Sequence, residues 1–394
     1  MQLAERRVSR GSRWDQPTAE IPPRFSAHLF VRQSILDEAR RSLVDAALLQ
    51  KIMAVVGTSY FPACERSIGD DCVAETAGAR LARSGWRWAR DAMRILIAGA
   101  SGLIGTAFVA QAARFGHEVV RLVRAPGQAG ADTIGWDPAR RVLTRGAMRS
   151  FDAVVNLCGE NVAGHWSPAK KEQILESRVR ATSVLASVLA EMGEPPRVFV
   201  SASATGYYGD RGEEELTEQS GPGVGFLPLV CCDWENAAAA AKARGIRTVF
   251  ARFGMVLSAE GGALARMLPA FRFGLGGVVG GGAQYWSWVA MDDAVNAIFH
   301  AIETESLAGP VNVVSLEPAT SREFTKALGA VLRRPTLLPF PRWAVKLIFG
   351  QMGRELLLAS VRVKPARLLE TAFQFKRPHL SMALAHALQR GKSL

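Results

Sequence analysis

Gly99, Gly102 and Gly105 stand three residues apart in Gly-Ala-Ser-Gly-Leu-Ile-Gly. The apolar run Ile95-Leu96-Ile97 comes before them, and apolar residues at helical spacing follow from about Leu103 to Phe115. A strand that turns sharply into a helix aims the first helical N–H groups, and the positive end of the helix dipole, at an anion in front of the turn. Gly99 permits the tight turn, Gly102 lets a pyrophosphate approach the backbone, and Gly105 lets the helix pack closely. Ser101, Leu103 and Ile104, interleaved with the glycines, complete the candidate dinucleotide cradle. A plain strand–turn–helix corner is the alternative for the glycines alone.

Two further groups of residues could do chemistry. Glu118-Val-Val-Arg-Leu-Val123 reads as a second strand, and Arg124 follows it. About twenty residues past the glycines, NAD-binding folds place an acid on the adenine ribose 2′-hydroxyl. An arginine there can instead fork onto a 2′-phosphate, so NADP(H) is expected over NAD. Arg121, on the opposite face of an ideal strand, is the weaker candidate, and a solvated loop arginine is the alternative. The other group is the hydroxyl-rich run Ser201-Ala-Ser-Ala-Thr-Gly-Tyr-Tyr-Gly209. It follows the strand pattern Arg197–Ser201, at the carboxyl end where open α/β sheets bind ligands.

The elements that must position these groups alternate strand and helix from Met93 onward. Phe151–Leu157 reads as a strand beside the first, so that Leu157 and Cys158 pass under the nicotinamide-ribose half of a cofactor. A long helix runs from Pro168 to Glu191 with Ser167 as its N-cap. A helix over Leu229–Ala243 and a strand over Arg247–Ala251 come next. Gly274–Gly282 is packed with glycine, as in a mobile or tightly apposed loop, and leads into Tyr285-Trp-Ser-Trp288. Those aromatics either wall a substrate pocket or seat a loop on the core. Asp292 and Asp293 begin a helix to Ile302, a favourable N-terminal charge placement, Val311–Val314 is a late strand, and helices follow from Ser321. The fold class expected is α/β: a Rossmann-type doubly wound parallel sheet with a smaller C-terminal substrate-side cap. Residues 93–330 form the dinucleotide-binding domain, with cap elements from about 261–290, and 331–394 a small helical domain. Residues 1–92 read as a leader, partly disordered or helical, with one amphipathic helix over about Ser34–Val56. A chain starting at Met93 is expected to keep the fold.

Composition narrows the class. The 394 residues carry 48 Lys and Arg against 36 Asp and Glu, a net charge of +12. The basic residues are scattered and not interleaved with aromatics, so no specific nucleic-acid partner is expected; a positive field also draws in an anionic cofactor. No window has the roughly 18 uncharged apolar residues of a membrane span, and no membrane partner is expected. Cys64, Cys72, Cys158, Cys231 and Cys232 are odd in number and lack paired CxxC spacing. That points to a reducing, cytoplasmic setting and to no metal site.

Taken together, Gly99–Gly105, Asn156-Leu-Cys-Gly-Glu-Asn161, Ser201–Gly209, Asp233-Trp-Glu235, Gly261-Gly-Ala-Leu-Ala-Arg-Met-Leu-Pro269 and Phe273-Gly-Leu-Gly-Gly277 resemble the epimerase-family branch of atypical short-chain dehydrogenase/reductases. Ala366–Phe375 is similar to the short C-terminal domain of unknown function in that branch. The resemblance covers Met93 to about Leu388. It implies an NADP(H)-binding Rossmann domain, Arg124 at the 2′-phosphate, and Leu157, Cys158 and Arg178 lining the cofactor. Where members often carry histidine after Trp-Ser-Trp-Ile, this chain has Ala290.

The wider superfamily moves protons with a Tyr-xxx-Lys pair, in which the lysine cation lowers the tyrosine pKa. Four residues after the four tyrosines of this chain come Cys64, Arg211, Gly212 and Val289, so the pair is missing. Cys231 and Glu235, at the place where it would fall, read as helix packing and surface pairing. Ser203 is expected to hold a substrate oxygen and Tyr208 to exchange the proton, with Tyr207 in reserve. The function expected is an NADP(H)-dependent oxidoreductase or epimerase acting on a small metabolite, a sugar-like molecule being one candidate. A non-catalytic NADP(H)-binding or redox-sensing protein is the alternative.

Overall fold

In the computed structural model, residues 92–124, 130, 132–143 and 150–390 are described. The chain runs β1 (Arg94–Ala98), α1 (Leu103–Arg114), β2 (Glu118–Val123), β3 (Thr133–Asp137), β4 (Val142–Leu143), β5 (Ala153–Asn156) and α2 (Pro168–Glu191). There follow β6 (Val198–Ala204), a 3-10 turn over Thr205–Tyr208, β7 (Glu215–Leu216), α3 (Phe226–Asn236), α4 (Ala239–Ala243), β8 (Arg247–Phe253) and β9 (Met255–Leu257). The last part holds α5 (Gly262–Arg272), β10 (Tyr285–Trp286), β11 (Trp288–Ala290), α6 (Met291–Glu303), β12 (Gly309–Val313), β13 (Ala319–Thr320) and α7 (Ser321–Leu332). It closes with α8 (Arg342–Met352), β14 (Arg362–Val363), α9 (Ala366–Glu370) and α10 (Leu380–Arg390).

Eight strands form one sheet in the order β12-β8-β6-β5-β1-β2-β3-β4, parallel except where β4 turns back on β3. β1 lies inside it because Ile95, Leu96, Ile97 and Ala98 are all fully buried. Successive side chains point to opposite faces. Ile95 and Ile97 therefore enter one core layer with Phe108 of α1 and Phe299 of α6, while Leu96 and Ala98 enter another with Leu185 and Leu189 of α2. The Phe108 and Phe299 rings stack at 4.6 Å and couple α1 to α6. After β1 the chain builds β2 and β3 on one side, then crosses to β5 on the other. Strand order reverses between β1 and β5, and their carboxyl ends open the crevice where such sheets hold ligands.

Several expectations are adjusted by packing. The helix expected over Leu229–Ala243 is two, α3 and α4, interrupted at Ala237 and Ala238. Thr133–Asp137 is an unforeseen strand, since its glycine and polar ends mask a core that includes Ile134 and Trp136. Trp286 and Trp288 are core residues, packed with Phe324 of α7 and Leu384 of α10. The glycine-rich loop is tightly apposed: a Cβ on Gly277 would fall 1.4 Å from the Leu338 carbonyl oxygen. Asp293 is buried, and its carboxylate accepts from the N–H groups of Lys376 (2.7 Å) and Arg377 (3.0 Å). It fastens the C-terminal segment to the start of α6 rather than serving only the helix dipole. The leader and its expected helix lie outside the described residues.

Candidate active site

The glycine turn is built by close approach. Gly99 has φ +85°, and a Cβ there would lie 2.8 Å from the carbonyl carbon and oxygen of Leu157. A Cβ on Gly105 would lie 2.1 Å from the Gly99 carbonyl oxygen, so this glycine seats the first turn of α1 on the loop itself. The Gly102 N–H donates to the Gly99 carbonyl at 3.0 Å. Gly102 is also the N-cap of α1, with no side-chain cap bond and no acid in the first turn. Ser101 is exposed, Leu103 and Ile104 are half-buried, and Gly261, which precedes α5, comes close enough to Leu103 that a Cβ would sit 3.2 Å from its Cδ1. A helix start without its own capping oxygen or acid, reached over three glycines that exclude side chains, has the shape and polarity for a pyrophosphate.

The neighbouring strand end completes the cradle. The Leu157 N–H donates to the Ala98 carbonyl at 2.9 Å, holding the end of β5 against β1. Asn156, fully buried, accepts from the Cys158 N–H (3.2 Å) and donates to Thr182 Oγ1 of α2 (2.8 Å). This anchoring role is one that sequence reasoning missed; its signal was a polar residue closing an otherwise apolar strand. Burial pushes the Cys158 thiol up to about 12, while the positive charge of Arg124 acts in the opposite direction. Arg124 itself is exposed at the end of β2, with its charge felt at Cys158. Arg121 is taken up by an ion pair with Asp132. Arg178 stacks on the Trp234 ring with 5.0 Å from Cζ to the centroid, and a Cβ on Gly159 would lie 3.0 Å from that Cζ. Its Nη1 donates to the Ile174 carbonyl at 2.9 Å, and burial lowers its pKa. Arg178 therefore sits beneath the Cys158-Gly159 backbone.

At the end of β6 the structure assembles a buried polar network. Ser203 Oγ donates to Glu235 Oε1 at 2.7 Å. Glu235 is also held by Arg252, through Nε to Oε1 and Nη2 to Oε2, both at 2.8 Å. Nη1 of the same guanidinium donates to the Tyr208 hydroxyl at 3.0 Å, and its Cζ lies 3.5 Å from the Tyr207 ring centroid. The Arg252 and Glu235 side chains are only 3% and 12% exposed. Glu235 is thus the acceptor of a buried bidentate pair, which corrects the surface pairing expected of it. Arg252 was missed; its only signal was an arginine in the alternation of the apolar strand Arg247–Phe253.

Tyr208 also needs correction. It is fully buried, and its hydroxyl donates to Asn312 Oδ1 at 2.7 Å while accepting from Arg252. Burial raises its pKa, the reverse of what a proton-exchanging phenol near neutrality requires. A hydroxyl engaged on both sides inside the core is a framework group, and Tyr208 is not placed to meet a substrate. Cys231 is buried behind Gly206, its thiol directed to the Ala204 carbonyl at 3.7 Å and pushed up to about 12 by burial and by Glu235. That agrees with packing and not with nucleophilic work.

The order-reversing parallel sheet and the glycine turn at its crevice find their match among known proteins. The family model described as "NAD dependent epimerase/dehydratase family" matches residues 95–314. The chain belongs to the NAD-dependent epimerase/dehydratase family. A second model, a domain of unknown function (DUF1731), matches residues 340–387. The chain is 42% identical over 298 residues to the epimerase family protein MT2273 of Mycobacterium tuberculosis, covering 75% of this chain and 98% of that one. The crystal structure of the human epimerase family protein SDR39U1 (isoform 2) with NADPH is similar at TM-score 0.68 and 33% identity, over 75% of this chain and 99% of that chain. That of the nucleoside-diphosphate sugar epimerase from Corynebacterium glutamicum is similar at TM-score 0.62 and 35% identity, over 76% of this chain and 58% of that chain. As a family member the chain is an NAD(P)-binding protein of the short-chain dehydrogenase/reductase type. Among the described residues, no helix is long and apolar enough to cross a membrane.

Proposed function

We propose that this chain is an NADP(H)-dependent oxidoreductase or epimerase acting on a small, sugar-like metabolite. The observation that carries the reading is the uncapped start of α1 behind Gly99, Gly102 and Gly105, with Arg124 beside the same crevice. The turn Gly99–Gly105 holds the pyrophosphate, Arg124 meets the 2′-phosphate, and Leu157, Cys158 and Arg178 support the nicotinamide half. A human relative crystallised with NADPH supports the same choice of cofactor. The cofactor, when bound, supplies or accepts a hydride.

The chain's own part in the chemistry falls to Ser203. Its proton is committed to Glu235, and Arg252 holds Glu235 in place, which leaves Ser203 Oγ to act toward a substrate as an acceptor. Such a hydroxyl orients a substrate O–H, which suits an alcohol awaiting oxidation better than a ketone. Tyr208 and Arg252 keep this arrangement rigid from behind. The test is NADPH oxidation, and NADP+ reduction, across a panel of nucleotide sugars and free sugars. A substrate should be found on which Ser203→Ala lowers kcat by about 10²-fold or more while NADPH binding is kept. Turnover equal in Ser203→Ala and the native chain would refute the role of Ser203.

A second reading, NADP(H) binding without turnover, is favoured by one observation: Ser203 is 2% exposed. Stoichiometric NADPH binding with no oxidation by any member of the panel would decide for it.

A further inference from the structure

The cap carries a surface that neither the cofactor crevice nor the Ser203 network uses. Residues 261–291 and 324–354 together contain eight Lys and Arg and no Asp or Glu. The structure brings these segments together. Arg334 Nε donates to the Arg272 carbonyl at 2.9 Å, the Phe340 N–H donates to the Val278 carbonyl at 2.9 Å, and the Gly280 N–H donates to the Phe340 carbonyl at 2.8 Å. Around this joint stand large apolar side chains left in solvent: Phe273 is 79% exposed, Leu337 83%, Trp343 68% and Leu347 78%. Trp343 and Leu347 are four residues apart on α8, so they share a face. Ala344 and Val345 of the same turns are buried, before the helix breaks at Gly350. Arg272, Arg333, Arg342 and Lys346 are exposed beside these apolar groups in the chain, and none forms an ion pair among the described residues.

We propose that this face docks on an anionic lipid surface, with Trp343 and Leu347 entering the headgroup region and the surrounding arginines and Lys346 meeting the lipid phosphates. An interfacial helix combines an apolar stripe with flanking cations, and tryptophan favours the boundary between headgroup and acyl chain. Basic side chains add attraction to an anionic leaflet, and their apolar stems lie along the same surface. A second copy of the chain is the poorer occupant. Two such faces brought together across a two-fold axis would set cation against cation with no carboxylate from either segment to answer it. The absence of a membrane span, which had argued against any membrane partner, has no bearing on surface docking.

The test is co-sedimentation of the full chain with phosphatidylcholine vesicles, with and without phosphatidylglycerol, at low and high salt. Binding should appear on the anionic vesicles and weaken with salt. It should fall about tenfold or more both in Trp343→Ser/Leu347→Ser and in Arg342→Glu/Lys346→Glu. These positions are exposed and outside the cofactor crevice, so NADPH affinity serves as the check that each variant is folded. Binding to anionic vesicles that Trp343→Ser/Leu347→Ser leaves intact would reduce the effect to the chain's general positive charge and overturn the proposal. So would equal binding to neutral vesicles, or a concentration-dependent dimer that the same variant dissociates.

Discussion

Removing one partner of the Arg252–Glu235 pair should destabilise the chain strongly, and removing both should cost much less than the sum. Arg252→Met leaves the Glu235 carboxylate with the Ser203 hydroxyl as its remaining hydrogen-bond partner, in a site only 12% exposed. Glu235→Leu leaves a guanidinium 3% exposed, with the Tyr208 hydroxyl as its one remaining side-chain acceptor. Breaking a buried pair on one side costs about 3–5 kcal/mol, because the other charge stays desolvated. For a domain of this size each kcal/mol lowers Tm by roughly 2–4 °C, which makes roughly 6–20 °C for either single variant. In the double variant no charge is stranded, and what remains is the loss of partners for the Ser203 and Tyr208 hydroxyls, roughly 1–3 kcal/mol each. Urea unfolding of the four proteins gives the cycle. The double variant should be more stable than the sum of the singles by at least about 2 kcal/mol. Singles that add to within about 0.5 kcal/mol would refute the buried pair. NADPH affinity should hold through the cycle, because the pair does not touch the glycine turn.

Other outcomes follow from the same geometry. Tyr208→Phe removes a hydroxyl bonded to Arg252 and Asn312 and should lower stability by roughly 1–3 kcal/mol for each group left unpaired; with kcat nearly unchanged it behaves as framework, whereas a stable variant with kcat down by about 10²-fold would restore it as the proton donor. Gly105→Ala puts a Cβ 2.1 Å from the Gly99 carbonyl oxygen and should displace α1, costing roughly 1–3 kcal/mol and most of the NADPH affinity; native affinity in a titration would contradict the cradle. Burial holds the pKa values of His117 and His300 below the usual 6.5, so the unfolded chain takes up these protons first. Their contribution to stability is present above about pH 6.5 and is lost as pH falls toward the folded values. The fall in Tm from pH 7 to pH 5.5 should therefore be shallower in His117→Asn/His300→Asn, and an unchanged slope would count against it.

Much of the framework around the glycine turn was legible in the sequence because it depends on local rules. Glycine spacing, the apolar run Ile95–Ile97 and the Ser167-Pro168 helix start each act within a few residues, and the helix Pro168–Glu191 appears with the bounds expected and the Ser167 cap in place. The polar network at the end of β6 was less legible because its decisive contacts join distant residues. Glu235 meets Arg252 across 17 residues, and Tyr208 meets Asn312 across 104. An exposed and a buried tyrosine look alike in sequence, so Tyr208 read as a proton donor. The tryptophans at 286 and 288 were ambiguous for the same reason: partners on α7 and α10 decide whether such side chains line a pocket or fill a core. The cap's basic and apolar face could not be read either, since its cations come from two segments that the chain brings together only on folding.

The central claim, an NADP(H) site at the glycine turn selected by Arg124, is tested most directly by titrating the chain and Arg124→Asp with NADPH and with NADH. One charge-assisted hydrogen bond to the 2′-phosphate contributes roughly 1.5–3 kcal/mol. The native chain should therefore bind NADPH about tenfold or more tighter than NADH, and Arg124→Asp should erase that preference while leaving NADH affinity unchanged or higher. Equal affinity for the two cofactors in the native chain, or equal losses for both in Arg124→Asp, would contradict the account.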